Sequence, residues 1–470
     1  TISHNSLFYK LACLGISSKM IRILKASYEN MQSKIFDGST FSTPFNVEVG
    51  VKQGCILSPM LFSLFLNDLV DELPFGINIA GINIKILLYA DDIVVFSDNA
   101  DQLQKMINAL YTYCKSWSLN LNLSKSKILI FRSGNRGPNT MHFKYGEEPI
   151  EIVNTYKYLG VELSFNLSFK NHLLNKLATS KMAINSTWTK YINHPSISKS
   201  NKLAIFNAAS KSIMLYAAQV WGFKEYDEVE KLFRFFIKKM LYLHKTTPNY
   251  VLYLETGLES LYMSTLNLHF NYILKVFDMS PTRLPNILAK YVLTNKLYWA
   301  KNWHSLITTL QITNINFLNP AEYCEIILQK LKIKENEQNI VKAQNSQNHD
   351  LYSKLDYSVT PPLLNNFNSW PTSLLIKARC GMLNLNSRSF LSNTSSICTI
   401  CNMNEIENTH HFIGICPVFS CIRQQFFGSR FLCEANVIRL LNGTDFFALY
   451  KYIETCLNYR KLIVNEYDST

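Results

Sequence analysis

Ile86-Leu87-Leu88-Tyr89-Ala90-Asp91-Asp92-Ile93-Val94-Val95-Phe96 sets two adjacent carboxylates between two apolar runs of β-forming residues. The pattern predicts two short strands meeting at Ala90-Asp91-Asp92, with the acids at the tip of a hairpin. Paired like charges between apolar runs are costly unless a cation neutralises them. Mg²⁺ suits the task, because it prefers hard carboxylate oxygens and shares its remaining sites with substrate phosphates. Two such ions, about 3.5–4 Å apart, can activate an attacking hydroxyl and stabilise the leaving oxygen of an in-line phosphoryl displacement. Taken alone, the dipeptide is better explained as a plain turn, so its neighbours decide the reading.

Upstream stands Gly50-Val-Lys-Gln-Gly-Cys-Ile-Leu-Ser-Pro-Met-Leu-Phe62. Gly54 lets the backbone approach a base or sugar closely, and Gln53 offers both a donor and an acceptor. A helix is predicted over 58–73, with Ser58 as N-cap and Pro59 in the first turn, so a positive dipole end lies close by. A helix is also predicted over 7–31 and strands over 36–51. Downstream, a helix over 101–117 leads to Asn120-Leu-Asn-Leu-Ser-Lys-Ser-Lys127, then to strands over 128–131 and 155–163. The last of these contains Tyr156-Lys-Tyr-Leu-Gly-Val161.

After about Ser168 the character changes. Helices are predicted over 171–191, 198–221, 228–243 and 260–279. Between Lys170 and Lys224 there are eight lysines and no acid. One-sign patterning of that kind suits a face that meets phosphates better than an idle surface. Residues 332–350 are polar, rich in Asn and Gln, and read as a linker. Beyond them Cys398-Thr-Ile-Cys401 is followed by His411 and Cys416. Four such ligands within nineteen residues can close a tetrahedral Zn²⁺ site. His410 is an alternative to His411, and Cys421 is a spare candidate.

The bulk numbers agree with a folded protein that meets a polyanion. The chain has 470 residues, is 47% hydrophobic and carries a net charge of +13. A basic balance of that size points to nucleic acid or an anionic surface. No run of eighteen apolar residues occurs, which argues against a membrane-spanning helix. Thr1–Lys10 lacks the basic-then-apolar pattern of a secretory signal. The odd count of 11 cysteines suits reduced thiols inside a cell better than a disulfide framework.

Tyr89-Ala90-Asp91-Asp92 resembles the catalytic box of reverse transcriptases from non-LTR retrotransposons and group II introns. Gly50, Gln53, Gly54, Ser58 and Pro59 match the family's template- and nucleotide-contacting motif. The segment 120–127 is similar to its next motif, where a lysine lies near the incoming triphosphate; Lys125 is the choice and Lys127 the alternative. Tyr158, Leu159 and Gly160 resemble the primer grip, and Tyr216–Gly222 resembles the end of the thumb in LINE-type elements, with Trp221 expected in the core. The Cys/His group resembles the knuckle that lies beyond the thumb in many such elements. The order of these motifs carries the resemblance over residues 1–245, and more thinly over 380–416.

The resemblance implies an RNA-directed DNA polymerase with an α+β right-hand fold. Its palm would span 1–168, a helical thumb 169–245, a helical connector and polar linker 246–350, a zinc-knuckle region 351–425 and a helical tail 426–470. Asp91 and Asp92 would hold two Mg²⁺, Tyr89 would stand beside the nucleotide, and Zn²⁺ would sit on Cys398, Cys401, His411 and Cys416. Partners would be an RNA template, a DNA primer, their hybrid duplex and dNTPs, inside the cell, in cytoplasm and nucleus as a ribonucleoprotein. Thr1-Ile-Ser-His-Asn5 resembles the stretch just beyond the family's first catalytic aspartate. That residue is therefore expected a few positions before Thr1, and little polymerase activity is expected of this chain as it stands. The alternatives are a catalytically dead nucleic-acid-binding remnant and a group II intron-type maturase.

Overall fold

A computed structural model describes residues 2–133, 141–194, 196–312, 320–347, 349–357, 369–387 and 395–468. Thr1, expected to open a motif, and Asn348, in the expected linker, lie outside them. The chain divides into two compact units, Thr1–Phe169 and Lys170–Thr470. Helices and short strands mix in the first and helices dominate the second, so the α+β class holds.

The first unit opens with helices α1 (His4–Cys13) and α2 (Ser18–Tyr28). The single helix expected over 7–31 is thus two. Gly15, at φ 79°, takes the left-handed turn between them, a conformation that a helix interior does not permit. The strands expected over 36–51 shrink to β2 (Phe45–Asn46), paired antiparallel with β1 (Gln32–Ser33). Next come α3 (Ser58–Leu66) and α4 (Leu69–Glu72), where one helix was expected. Ser58 is not the N-cap: Leu57 holds that place, and the Ser58 hydroxyl donates backwards to the Lys52 carbonyl at 2.6 Å.

Hairpins β3–β4 (Ile77–Ile79, Ile82–Ile84) and β5–β6 (Ile86–Tyr89, Asp92–Val95) come after them. Then comes α5 (Ala100–Ser116), capped by the Asn99 side chain. The strand β7 (Ile128–Leu129) pairs in parallel with β10 (Ile152–Val153), while β8–β9 (Phe143–Tyr145, Glu148–Ile150) and β11–β12 (Thr155–Tyr158, Val161–Ser164) are antiparallel hairpins. The expected antiparallel sheet is therefore a set of two-stranded pairs among the described residues.

One core ties distant parts of this unit together. Ile2, Leu7, Phe8 and Leu11 pack with Leu61, Phe65 and Leu69, and with Leu110, Tyr113 and Cys114 of α5. Val51, Ile86 and Ile93 lie against the same cluster. Lys10 is buried at its centre, 4.0 Å from the Trp117 ring centroid, and its ammonium donates to Asp68, the Phe65 carbonyl and the Tyr113 hydroxyl. Burial lowers the Lys10 pKa, and the Asp68 partner pulls it back up. Every donor finds an acceptor, which is how an amine tolerates that position.

In the second unit, helices Leu261–Phe277, Tyr298–Thr309 and Pro320–Gln344 share a core around Phe270, Trp303, Tyr323 and Ile327. The expected linker is largely the second half of the helix Pro320–Gln344. Tyr323, Ile327 and Leu331, four residues apart, anchor one stripe, and the Glu, Lys and Gln beyond them are good helix formers despite their polarity. The helix expected over 198–221 breaks at Ala217, at φ 59°, before a short helix Ala218–Trp221. Trp221 is fully buried, as expected. All eleven cysteines are free. No helix of the described residues is long and apolar enough to cross a membrane.

Candidate active site and metal centre

The β5–β6 hairpin pairs Ile86 with Val95, Leu87 with Val94, Leu88 with Ile93 and Tyr89 with Asp92. Ala90 and Asp91 form its two-residue turn, with Ala90 at φ 51°. A non-glycine residue there is strained, and only a small side chain keeps the cost low. Tyr89, Asp91 and Asp92 are exposed, while Ile86 and Ile93 pack into the core. Apolar strand residues thus root the hairpin and leave the two carboxylates at its free end. Tyr89 and Asp92, directly opposite, share one face.

The Gly50 segment is tied to the start of the chain. The Gly50 amide donates to the Ile2 carbonyl at 2.7 Å, its carbonyl lies 2.9 Å from His4 Nε2, and Ser3 bridges Val49. Gly50 and Gly54 stand at φ 90° and 81°, so glycine is required there by conformation. A Cβ at either would meet nothing within 4 Å. Gln53 and Pro59 are exposed and Ser58 is buried.

Lys125 and Lys127, left open by the sequence, differ here. The Lys127 ammonium pairs with Glu151 at 2.8 Å. Lys125 is exposed, and its carbonyl accepts from the Tyr156 hydroxyl at 3.0 Å, which fixes the lysine segment to β11. Next along, Tyr158 pairs with Val161, and Leu159 and Gly160 close the hairpin at φ 46° and 80°. Two positive φ values make this a type I′ turn, which usually takes Asn-Gly. Partial burial raises the Tyr158 phenol above its ordinary pKa, and the nearby Asp92 carboxylate adds to the rise. The two hairpins are therefore neighbours. Among the described residues, no third carboxylate joins Asp91 and Asp92 in a metal-binding group.

Cys398, Cys401, His411 and Cys416 offer ligand atoms that all lie within 4.8 Å of one another. Tetrahedral Zn²⁺ with bonds of about 2.3 Å holds its sulfurs about 3.8 Å apart, so the donor set fits with little movement. His411, not His410, faces the cluster: its Nε2 is 3.5 Å from Cys401 Sγ, and its Nδ1 is 3.1 Å from Glu405. A carboxylate on the far nitrogen orients an imidazole ligand. Burial pushes the Cys398 thiol up to about 12 and Cys416 to about 11. Cys421 is exposed and outside the group. Sequence reasoning missed Glu405 and Glu407, whose only signal was their place between Cys401 and His411. It also missed Arg460, far along the chain, which forks onto Glu407.

The lysine-rich region needs a correction. Lys199 and Lys202 are 5% and 2% exposed, with ammonium groups on the hydroxyls of Thr372 and Ser369. Lys211 donates to Ser264. These three do not form part of an open phosphate-binding face. Lys190 and Lys224 are exposed.

Residues 1–163 match the family described as reverse transcriptase (RNA-dependent DNA polymerase). This segment is a reverse transcriptase domain. Similar proteins are named as RNA-directed DNA polymerases or Pol polyproteins of transposable elements. The chain is 26% identical over 223 residues to a probable RNA-directed DNA polymerase from transposon X-element of Drosophila melanogaster, covering 44% of this chain and 24% of that one. It is 26% identical over 255 residues to the RNA-directed DNA polymerase from mobile element jockey of Drosophila funebris, covering 53% and 27%. It is also 26% identical over 266 residues to a retrovirus-related Pol polyprotein from type-1 retrotransposable element R2 of Popillia japonica, covering 54% and 36%. The chain thus spans about a quarter to a third of the length of these relatives. Asp91-Asp92, the Gly50 segment and the Tyr158 hairpin all lie within the reverse transcriptase domain.

Proposed function

We propose that this chain is part of a retrotransposon RNA-directed DNA polymerase, with its first unit as the palm. The 3′-hydroxyl of a DNA primer attacks the α-phosphate of a dNTP paired to an RNA template. Two Mg²⁺ supply charge stabilisation and activate the hydroxyl when bound. Asp91 ligates them, Asp92 supports them electrostatically, and the Lys125 ammonium meets the triphosphate as pyrophosphate leaves. The Gly50–Pro59 segment lies along the template and nucleotide beside Tyr89. The Tyr158–Gly160 turn holds the primer terminus. Exposed lysines of residues 169–245, the thumb in this reading, take the hybrid duplex by its phosphates. The Cys/His cluster holds Zn²⁺ as the family's knuckle.

The observation that carries this reading is the shared core of Ile2, Leu61, Val51, Ile86 and Ile93, with Tyr158 close to Asp92. Segments far apart in sequence share one core with the strands that carry the carboxylate pair. The test is dNTP incorporation on a primed RNA template by the longest open reading frame at the locus that contains this chain. An Asp91→Ala, Asp92→Ala control runs beside it. Incorporation that disappears in the control supports the reading, and incorporation that persists overturns it.

A further inference from the structure

The Cys/His cluster is held from outside by the helix Phe446–Asp468. Arg460 lays its guanidinium on the Glu407 carboxylate in two parallel bonds of 2.7 Å, from Nε to Oε1 and from Nη2 to Oε2. Glu407 is 1% exposed, and the same Oε1 lies 3.8 Å from Cys398 Sγ. Arg460 Nη2 also reaches Asn386 Oδ1 at 3.1 Å, and the Asn386 side chain holds the Ile397 carbonyl, next to the first ligand. About two turns earlier on the helix, the Tyr452 hydroxyl donates to the carbonyls of Phe412 and Ile413 at 3.1 and 3.2 Å. These carbonyls come directly after His411. One helix therefore touches both halves of the cluster, the Cys-x2-Cys side through Arg460 and the His/Cys416 side through Tyr452.

The charges explain why an arginine belongs there. Three thiolates around a divalent ion leave one net negative charge, and Glu405 and Glu407 add two more beside it. Glu405 reaches solvent but Glu407 does not, and a carboxylate shut away from water beside that charge needs a fixed cation. A forked guanidinium on a buried carboxylate meets that need and also sets geometry.

We propose that metal binding at Cys398, Cys401, His411 and Cys416 is thermodynamically coupled to docking of the helix Phe446–Asp468, with Arg460 and Tyr452 as the coupling residues. This rests on the proposal that the cluster holds a metal. Arg460 is a positioning residue, since it acts through Glu407. By linkage, whatever the metal does for the helix, the helix does equally for the metal.

The test uses the full chain and Co²⁺, whose visible spectrum reports tetrahedral thiolate ligation. Arg460→Gln is expected to weaken Co²⁺ binding at least tenfold while leaving the spectrum's shape unchanged, in the range found for outer partners of metal ligands. Arg460→Lys, which keeps the charge without the fork, is expected in between. Stripping the metal from the unaltered chain is expected to speed amide exchange over 446–465 at least tenfold, with no such change over 261–277. If Arg460→Gln does not fold, Tyr452→Phe and the exchange experiment carry the test. Affinities within twofold of the unaltered chain, or helix exchange that ignores the metal, overturn the coupling. No tetrahedral Co²⁺ spectrum in the unaltered chain overturns the metal reading itself, and the coupling with it.

Discussion

Tyr89 and Asp92 are the last cross-strand pair of their hairpin, and only Ala90 and Asp91 lie beyond them. The turn therefore has no slack, and Ala90 takes a left-handed conformation that costs an L-residue roughly 1–2 kcal/mol. Ala90→Gly relieves that cost and adds back about 0.5–1 kcal/mol of chain entropy. The expected net effect is a gain of about 0.5–1 kcal/mol, seen as slower amide exchange across 86–96. Ala90→Val, β-branched at the same φ, is expected to lose more than about 1 kcal/mol. Equal exchange in all three proteins would mean that the turn is not strained.

Leu159 poses the same question at the neighbouring turn, because it is a half-exposed leucine where asparagine is the usual choice. Leu159→Asn is expected to keep or raise the stability of the hairpin over 155–164. If this turn holds the primer, the same change lowers primer extension at least tenfold. Full extension by a more stable protein would remove Leu159 from any primer contact.

The sequence made local features more legible than the architecture. Asp91-Asp92 announced a hairpin through the apolar runs on either side, and its register is the one those runs demand. Spacing marked Cys398, Cys401 and Cys416 and left His410 open as an alternative to His411. Helix length was less legible. Gly15 and Ala217 interrupt apolar periodicities that continue past them, and Tyr323, Ile327 and Leu331 recruit a polar tail into a helix that composition read as linker. What could not be read at all was long-range. Nothing in local sequence says that Lys199 reaches Thr372, or that Arg460 reaches Glu407. Sign patterning counted Lys199 and Lys202 among surface charges because it carries no information on burial.

Lys199 leads to a pH dependence. Burial lowers its pKa from 10.5 to about 8. Between pH 8 and 10.5 the unfolded chain holds a proton that the folded chain does not, so stability rises with pH through that window. The benefit is complete above 10.5 and is lost as pH falls to 8. Lys199→Met removes the buried cation, and is expected to stabilise the protein by on the order of 2–3 kcal/mol at pH 7. The gain shrinks toward zero by pH 10.5, as denaturant unfolding at several pH values would register. A gain independent of pH would mean that the ammonium is not the cause.

The same burial separates two groups of lysines in nucleic-acid binding. Lys190 and Lys224 are exposed, whereas Lys199 and Lys202 are not. Lys190→Gln and Lys224→Gln are each expected to flatten the dependence of log affinity for hybrid duplex on log salt by about 1. Lys199→Met is expected to leave that slope unchanged. Equal slopes for all four proteins would move the duplex to another surface.

His410 and His411 are adjacent, and sequence alone could not choose between them. In the structure the choice rests on two contacts of His411: Nε2 at 3.5 Å from Cys401 Sγ, and Nδ1 at 3.1 Å from Glu405. The first aims a lone pair at the cluster, and the second places the proton on the opposite nitrogen. His410 has no such pair of contacts, and its buried Nε2 finds no partner among the described residues. His411→Ala is expected to cost at least a hundredfold in Co²⁺ affinity and to change the spectrum, because a nitrogen donor is lost. His410→Ala is expected to leave affinity within about threefold. Glu405→Gln falls between, since an amide still accepts from Nδ1 but without the charge, and a loss of about tenfold is expected. Metal binding that survives His411→Ala and fails in His410→Ala would mean that the turn after Asn408 rearranges when the ion enters.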